Sequence, residues 1–145
     1  MTTRIVSNPA RVFEFVNRYV PLDPVGGTKG LGLERDGELI AGVLYEGFNG
    51  RNVWMHVAAK PGEQWMTKSY LRYCFHYPFN EMGVDRVSGY VHEDNLAARR
   101  LDEHLGFELE TRLRGAAPNG GDVLLYVMWR DKCRFLRGEH GQEGR

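Results

Sequence analysis

A strand, a helix and a second strand follow one another in the middle of the chain, and this succession restricts the topology more than any other feature. Residues 52–58 and 85–91 have the composition and alternation of strands, and 63–77 spaces its apolar side chains as a helix does. A strand–helix–strand crossover makes its two strands parallel, with a right-handed connection in almost every case. The loops that follow the two strands, 58–63 and 91–95, are therefore predicted to lie side by side at one edge of a sheet.

The elements on either side of the crossover complete one mixed sheet. Asp36-Gly37 and Asn49-Gly50 divide the preceding residues into an antiparallel meander, because both dipeptides favour tight hairpin turns. The other predicted elements are a first helix, two strands of the meander, a last helix and two closing strands, at 8–20, 30–35, 38–48, 94–105, 107–114 and 123–129. The expected fold class is α/β with a mixed sheet, forming one domain over 1–137 followed by a solvated tail at 138–145.

The helix predicted after the crossover is amphipathic. Asp94 is a suitable N-cap, and Ala97, Leu101 and Leu105 form one apolar stripe. The polar residues between them, Asp102 included, are expected to face water.

Charge and composition exclude several function classes. The 145 residues carry 19 basic and 19 acidic side chains, so no basic excess favours binding to nucleic acid or anionic lipid. No apolar run approaches the ~20 residues of a membrane span, and the N-terminus has no signal-peptide core. Two cysteines outside any pair motif and five histidines outside metal-ligand spacings predict reduced thiols, no metal site and a cytoplasmic protein.

Both loops after the parallel strands lead into helix N-termini, where free backbone N–H groups and the helix dipole favour an anion. Ligands of open α/β sheets bind at this edge. Lys60 and Gly62 offer a cation and close backbone approach to a phosphate, and Asp94 and Asn95 offer polar groups in the second loop. The alternative is that Gly62 only forms a turn and Asp94 only caps its helix.

The segment VHEDNLAARRLDEHLGFELETRLR, residues 91–114, resembles the second half of the GNAT superfamily, the acyl-CoA-dependent N-acyltransferases. The family pattern there is a strand, an Asn, a helix, Leu-Gly-Phe and a strand that often contains Glu. The matching residues are Asn95, Ala98, Leu105, Gly106, Phe107 and Glu110. Residues 62–87 are similar to a branch common in phages and prophages, with its Gly-x-x-Trp-Met-Thr start and its Tyr-Pro-Phe-Asn segment.

The resemblance implies the GNAT fold, with acetyl-CoA as the cofactor in a cleft where the strands at 52–58 and 85–91 splay apart. Its pantetheine would pair with strand backbone, its pyrophosphate would meet the loop amides, and an Asn would lie near the pantetheine. The residues that the resemblance assigns to the cofactor are Met55, Val57, Ala58, Lys60, Gly62, Gln64, Trp65 and Asn95.

Two positions depart from the family pattern. Typical members carry Arg or Gln-x-x-Gly-x-Gly or Ala at the pyrophosphate loop, where residues 60–65 of this chain contain a single glycine. Many members also have a tyrosine four residues before the glycine of Leu-Gly-Phe, which protonates the departing thiolate. Asp102 occupies that position here.

Acyl transfer to an amine needs a base for the amine, hydrogen-bond donors for the developing oxyanion and a proton for the thiolate. Glu46, among apolar neighbours on the middle strand, and His56, whose imidazole titrates near neutral pH, are candidate bases. The oxyanion donor would be strand backbone near Val57. Further candidates are His92 and Glu93 as bases and Tyr90 and Tyr126 as acids. A packed, non-catalytic histidine and a water-relayed base stay open as alternatives.

The sequence therefore predicts an acetyl-CoA-dependent N-acetyltransferase that acts on a primary amine of a protein or of a small molecule. The alternative is a catalytically inactive binding module of the same fold, which a phage could encode. A third hypothesis is a phage-type enzyme that modifies a base or a host protein. The acceptor amine is left open, and the last hairpin could support a homodimer.

Overall fold

A mixed sheet of seven strands organises the residues that the computed structural model describes, 2–20 and 27–136. The strands are Thr3–Val6 (β1), Lys29–Arg35 (β2), Glu38–Glu46 (β3), Asn52–Ala59 (β4), Arg86–His92 (β5), Glu108–Leu113 (β6) and Val123–Trp129 (β7). The helices are Pro9–Tyr19 (α1), Lys68–His76 (α2) and Leu96–Leu105 (α3). The predicted tail at 138–145 lies outside the described residues.

The order of strands in the sheet is β1-β2-β3-β4-β5-β7-β6. Every neighbouring pair is antiparallel except β4 and β5, which are parallel as the crossover predicts. The α/β class with a meander, a crossover and a C-terminal hairpin is thereby confirmed. The parallel ladder runs only from the pair Asn52–Arg86 to the pair Trp54–Ser88. Beyond it β4 and β5 separate, and their C-terminal ends border a cleft.

Two local predictions near the N-terminus are confirmed. Asn8 caps α1, because its side chain accepts a hydrogen bond from the Arg11 backbone N–H at 3.1 Å, and Pro9 occupies the first turn. Asp36 and Gly37 have φ angles of 53° and 87°, as the tight turn between β2 and β3 requires.

The first helix covers one face of the meander. Gly42 in β3 allows this approach, since a Cβ there would lie 3.1 Å from both Phe15 and Val16 of α1. His56 is on the same face, because it pairs with Leu44, two residues along β3 from Gly42. This register sets which side chains of β4 meet the cleft from the α1 side.

The helices α2 and α3 pack on the opposite face, where most of the core lies. Tyr70, Cys74 and Phe75 of α2 are buried there. The Tyr45 hydroxyl donates a hydrogen bond to the Cys74 carbonyl at 2.5 Å, and the Tyr70 hydroxyl donates one to the Leu31 carbonyl at 2.8 Å. Both buried hydroxyls are therefore satisfied, and they hold α2 against the sheet.

The helix predicted over 63–77 begins five residues later and continues past its predicted end. Thr67 caps α2 by accepting a hydrogen bond from the Tyr70 backbone N–H at 3.2 Å. Pro78 changes the type of helix and does not end it, since Tyr77–Met82 form a π-helical segment. A proline lacks the N–H of a regular α-helical ladder, and the wider turn accommodates that loss.

Two further differences concern short features. The sequence predicts no strand ahead of the first helix, but Thr3–Val6 forms the edge strand β1, paired with β2. Four residues are too few for a period-2 pattern to be recognised. The N-cap of α3 is Asn95 and not Asp94, because the Asn95 side chain accepts a hydrogen bond from the Ala98 N–H at 3.1 Å.

Candidate active site

The separated ends of β4 and β5 border a cleft with a volume of about 170 Å³. Its other walls come from α3 and from the C-terminal end of α1. In this lining β4 supplies Met55, His56 and Val57, β5 supplies residues 89–92, and the α3 region supplies Asn95, Ala98, Leu101 and Asp102. The cleft therefore brings together three of the residues predicted to bind a cofactor and one of those predicted to be catalytic.

The backbone of β4 is unpaired on the side that faces the cleft. A Cβ added to Gly89 would lie 3.5 Å from the Met55 carbonyl oxygen, so this carbonyl points toward β5. The Lys60 N–H donates to the Ile40 carbonyl on the other side at 2.8 Å, and strand alternation therefore turns Val57, like Met55, toward the cleft. The N–H and C=O of Val57 are thus available to an extended ligand that carries amide groups.

Glu46 and His56 form a hydrogen-bonded pair on the α1 side of the cleft. Glu46 is the last residue of β3 and lies opposite Trp54, which places it diagonally across from His56. Its Oε2 atom is 2.5 Å from the His56 Nε2 atom. The imidazole is 3% exposed and the carboxylate is 19% exposed. The two residues that the sequence offers as separate candidates therefore act as one unit.

This pair fixes which nitrogen of the imidazole carries a hydrogen. A carboxylate only accepts hydrogen bonds, so Nε2 of the neutral ring donates and Nδ1 keeps its lone pair. Burial lowers the pKa of His56 below 6.5, and the charge and hydrogen bond of Glu46 oppose this shift only in part. At pH 7 the imidazole is therefore neutral, with a basic Nδ1 atom.

Tyr90 of β5 packs edge-on against both His56 and Trp54, with ring centroids 5.3 and 6.0 Å apart. Burial and the nearby Glu46 carboxylate raise the pKa of Tyr90, so its hydroxyl is protonated at neutral pH. Its side chain nevertheless remains 41% exposed. Tyr90 therefore forms a partly open aromatic wall beside the imidazole.

Asp102 lines the cleft, which corrects the prediction that it faces bulk water. The helix α3 packs through Ala98 and Leu101, whereas Ala97 is exposed, so the apolar face is rotated by one residue from the predicted stripe. Asp102 lies one helical turn after Ala98 on that face. Within the described part of the chain, no hydrogen bond or ion pair engages its carboxylate. Burial, and then the Glu103 charge, raise the pKa of Asp102 to about 7.

We expect Asp102→Asn to stabilise the protein at neutral and alkaline pH. The ordinary pKa of an aspartate is 3.8, so the unfolded chain releases this proton first as the pH rises, while the folded chain keeps it until about pH 7. The free energy of unfolding of the wild type therefore falls across that interval, and the variant avoids the loss. Denaturant titrations at pH 8 should show a gain of roughly 2–4 kcal/mol that disappears below pH 4. Parallel stability curves for the two proteins would contradict this assignment.

In the second loop, residues 91–95, some polar side chains line the cleft and others hold neighbouring strands together. Asn95 caps α3 at the cleft wall, and the exposed His92 also lines the cleft. Glu93 instead accepts hydrogen bonds from the Asp122 backbone N–H at 2.8 Å and from Arg112 at 3.1 Å. Glu93 therefore ties the end of β5 to the connection between β6 and β7.

The first loop lies beside the cleft and not in its lining. The predicted cofactor residues outside the lining are Ala58, Lys60, Gly62, Gln64 and Trp65. The Lys60 ammonium is 3.9 Å from the Glu38 carboxylate, on the α1 side. Arg35 donates a hydrogen bond to the Gln64 carbonyl at 3.1 Å, and Trp65 is buried in the core. Arg35 thereby ties this loop to the end of β2.

Tyr126 is buried in the core on the face that carries α2 and α3, outside the cleft lining. Its hydroxyl donates a hydrogen bond to the Glu103 carboxylate at 3.0 Å. This bond joins β7 to α3, so Tyr126 supports the wall from which Asp102 projects.

Two searches of the described residues give negative results. No group of three or more His, Cys, Asp or Glu side chains in residues 2–20 and 27–136 is arranged to hold a metal ion. None of the helices in these ranges is long and apolar enough to cross a membrane.

Comparison with known proteins gives matches in structure and none in sequence. No family model matches the chain, and no curated protein matches it. A variant of the spermidine N-acetyltransferase SpeG from Vibrio cholerae matches with a TM-score of 0.72 at 17% identity, covering 96% of this chain and 99% of that chain. A dodecameric structure of spermidine N-acetyltransferase from Vibrio cholerae gives a TM-score of 0.70 at 16% identity, with coverages of 90% and 94%. A probable acetyltransferase gives 0.60 at 20% identity, with coverages of 81% and 68%.

These superpositions extend over most of the chain. Identities of 16% to 20% carry a likeness of fold and nothing finer. The fold predicted from the resemblance of residues 91–114 is thus confirmed. The chain has the fold of the GNAT acetyltransferases.

Proposed function

We propose that this protein is an acetyl-CoA-dependent N-acetyltransferase that acetylates a primary amine. The observation that carries the proposal is the combination of an unpaired strand edge with two proton-handling groups on opposite walls of one cleft. The Glu46–His56 pair lies on the α1 side, and Asp102 projects from α3.

The cleft fits the amide-bearing arm of acetyl-CoA. The backbone of Met55 and Val57 offers a strand edge to which amide groups can pair, and Gly89 and Ala98 leave the space between the walls open. When bound, acetyl-CoA supplies an acetyl group activated as a thioester. The Val57 N–H is the donor placed to stabilise an oxyanion near this edge. Contacts of Lys60, Gly62, Gln64 and Trp65 with the phosphates stay predictions.

The Glu46–His56 pair is suited to take a proton from the amine. Transfer forms a carbon–nitrogen bond and breaks a carbon–sulfur bond, so the nitrogen must lose one proton. Nδ1 of His56 accepts it, and the Glu46 carboxylate stabilises the resulting imidazolium through Nε2. Glu46 is in this account a positioning residue that also holds the tautomer.

Asp102 is suited to return a proton to the sulfur. Its carboxyl group keeps a proton up to about pH 7 and has no partner among the described residues that would compete for it. After donation, water in the cleft mouth restores the proton from solvent. Asp102 therefore takes, in this proposal, the part that the resemblance gives to a tyrosine.

The two groups together predict a bell-shaped dependence of kcat on pH. The acid limb lies below 6.5, where His56 gains a proton, and the alkaline limb lies near 7, where Asp102 loses one. Asp102→Asn should lower kcat by about 100-fold and remove the alkaline limb. An unchanged alkaline limb in Asp102→Asn would assign the proton donor elsewhere.

The proposal is tested by thiol release from acetyl-CoA in the presence of a panel of amines. The panel includes spermidine, lysine, a peptide with a free N-terminus and a simple alkyl amine. Amine-dependent release with a stoichiometric mass gain of one acetyl group on the acceptor supports the transferase. If the protein binds acetyl-CoA but no amine in the panel causes thiol release, the inactive binding module is favoured. A cytoplasmic location, a phage origin, a homodimer and the absence of nucleic-acid binding stay predictions from the sequence.

A further inference from the structure

A second hollow lies on the face of the sheet that carries α1 and His56. It has a volume of about 310 Å³ and is lined by Asn52, Trp54, Arg86, Ser88, Glu110 and Leu125. Trp54 pairs with Ser88 in the parallel ladder, so Arg86 on β5 shares the face of His56 on β4. Tyr90 and Trp54 lie between the imidazole and the hollow, and their rings form a continuous aromatic surface.

A fixed guanidinium forms the floor of this hollow. The Nε and Nη2 atoms of Arg86 donate to the Ser88 hydroxyl at 3.0 and 2.8 Å, and this hydroxyl donates to the Asn52 side-chain oxygen at 2.5 Å. The guanidinium also stacks 5.3 Å from the centre of the Trp129 ring. The Asn52 side-chain N–H groups have no partner within the described residues. The hollow therefore presents the Asn52 amide and the Arg86 guanidinium, whose charge the Glu110 carboxylate balances.

The Glu110 carboxylate occupies one of these donors. Glu110 accepts a hydrogen bond from Arg86 Nη1 at 2.8 Å, and its side chain is 39% exposed. It comes from the edge strand β6 at a register shift between Leu109 and Thr111, where it has no cross-strand partner. Glu110 is itself a carboxylate on the Arg86 guanidinium, and an incoming carboxylate would share this chemistry.

The spacing relates the hollow to the proposed chemistry. The backbones of His56 and Arg86 are four residues apart along the paired strands, about 13 Å. The Arg86 guanidinium lies against the Ser88 hydroxyl, two residues nearer to His56. A chain that places its amine at the imidazole crosses Trp54 and Tyr90 before its other end reaches the guanidinium. The remaining gap of about 7 Å along the strands corresponds to an extended peptide of about two or three residues.

We propose that the amine acceptor is a short peptide whose N-terminal amine is acetylated at His56 and whose carboxylate binds Arg86 and Asn52. This inference rests on the proposed acetyltransferase function and specifies its acceptor. Arg86 and Asn52 are then specificity-determining residues, and the Glu110 carboxylate pairs with Arg86 when no peptide carboxylate is bound. A diamine of equal length would instead bring a second cation beside the Arg86 guanidinium.

The first test compares oligoglycines of one to five residues with their C-terminal amides and with linear diamines. With the wild type, the KM of diglycine or triglycine should be at least about tenfold lower than the KM of the matching amide. Single glycine and pentaglycine should lose this advantage. Acetylation of acids and amides with equal KM, or a preference for diamines, would overturn the inference and leave the proposed function intact.

Two variants and a control separate the hollow from general effects on the fold. Arg86→Gln should raise the KM of the acid to that of the amide, whereas Glu110→Gln should lower the KM of the acid because the competing carboxylate is gone. Glu108→Gln, a neighbouring exposed residue of β6 outside the lining, serves as the matched control. A Glu110→Gln variant with a raised KM for the acid would contradict the assignment even if Arg86→Gln fails to fold.

A binding measurement decides the inference independently of catalysis. Triglycine and its amide are titrated into the protein by NMR without acetyl-CoA. Saturable shifts at the Arg86 and Asn52 resonances with the acid, and weaker shifts with the amide, support the carboxylate site even if no acetylation is detected. Equal responses to both peptides would overturn it.

Discussion

Replacing His56 by glutamine is expected to lower kcat by about 10²–10⁴-fold, because the acceptor amine loses its proton acceptor. Glutamine preserves a hydrogen bond to Glu46 and much of the side-chain volume, so the fold should persist. The affinity for acetyl-CoA should change little, since the proposed contact of acetyl-CoA is with the backbone of β4 and not with the imidazole. Steady-state kinetics with calorimetric titration of acetyl-CoA separates the two effects.

The matched control for this variant is His104→Gln, which changes an exposed histidine of α3 outside the cleft lining. It should retain the wild-type kcat. Glu46→Gln should have an intermediate effect, because Nε2 keeps a partner but the imidazolium loses its counter-charge. Full activity in His56→Gln would show that a water-relayed base suffices and that the histidine only packs.

A valine at Gly89 should raise the Kd for acetyl-CoA while leaving the fold intact. An added Cβ meets only the Met55 carbonyl oxygen, at an ordinary contact distance of 3.5 Å, so β5 can accept the side chain. The valine methyl groups would then enter the cleft where the two strands separate. Overpacking of about 1–3 kcal/mol should raise the Kd for acetyl-CoA by about 5- to 150-fold.

Thermal unfolding and calorimetry check this second prediction together. Valine is a better strand former than glycine, so the Tm of Gly89→Val should equal or exceed that of the wild type. Thr111→Val, on β6 and outside the cleft lining, controls for the added branched side chain and should leave the Kd unchanged. An unchanged Kd in Gly89→Val would place the donor site away from the separated strands.

Periodicity and connection rules account for what the sequence predicts about the fold. The crossover over 52–91 follows from a change in apolar spacing from two to about three and a half residues, and its handedness follows from a general rule. Strand β1 is not predicted from periodicity, because Thr3–Val6 is too short to show a period. The start of α2 at Lys68 is not predicted either, because the apolar residues Trp65 and Met66 extend the helical pattern into the loop.

The site is harder to predict because it depends on register and on helical phase. Glu46 and His56 meet only because the β3–β4 hairpin sets Glu46 opposite Trp54, and the turn dipeptide alone does not fix that register. An apolar stripe that begins at Ala97 predicts that the Asp102 side chain faces water. Its position four residues after Ala98 and three before Leu105 was the available signal that it lies on the inner face.

The central claim is that the separated ends of β4 and β5 form the acetyl-CoA site, and an NMR titration of acetyl-CoA tests it most directly. The account predicts saturable binding with the largest shifts at Met55–Ala59, at Gly89 and at Asn95–Asp102. Arg11 and Glu14 of α1, which line a separate hollow, should not respond. Absence of binding at millimolar acetyl-CoA, or shifts confined to that other hollow, would contradict the account.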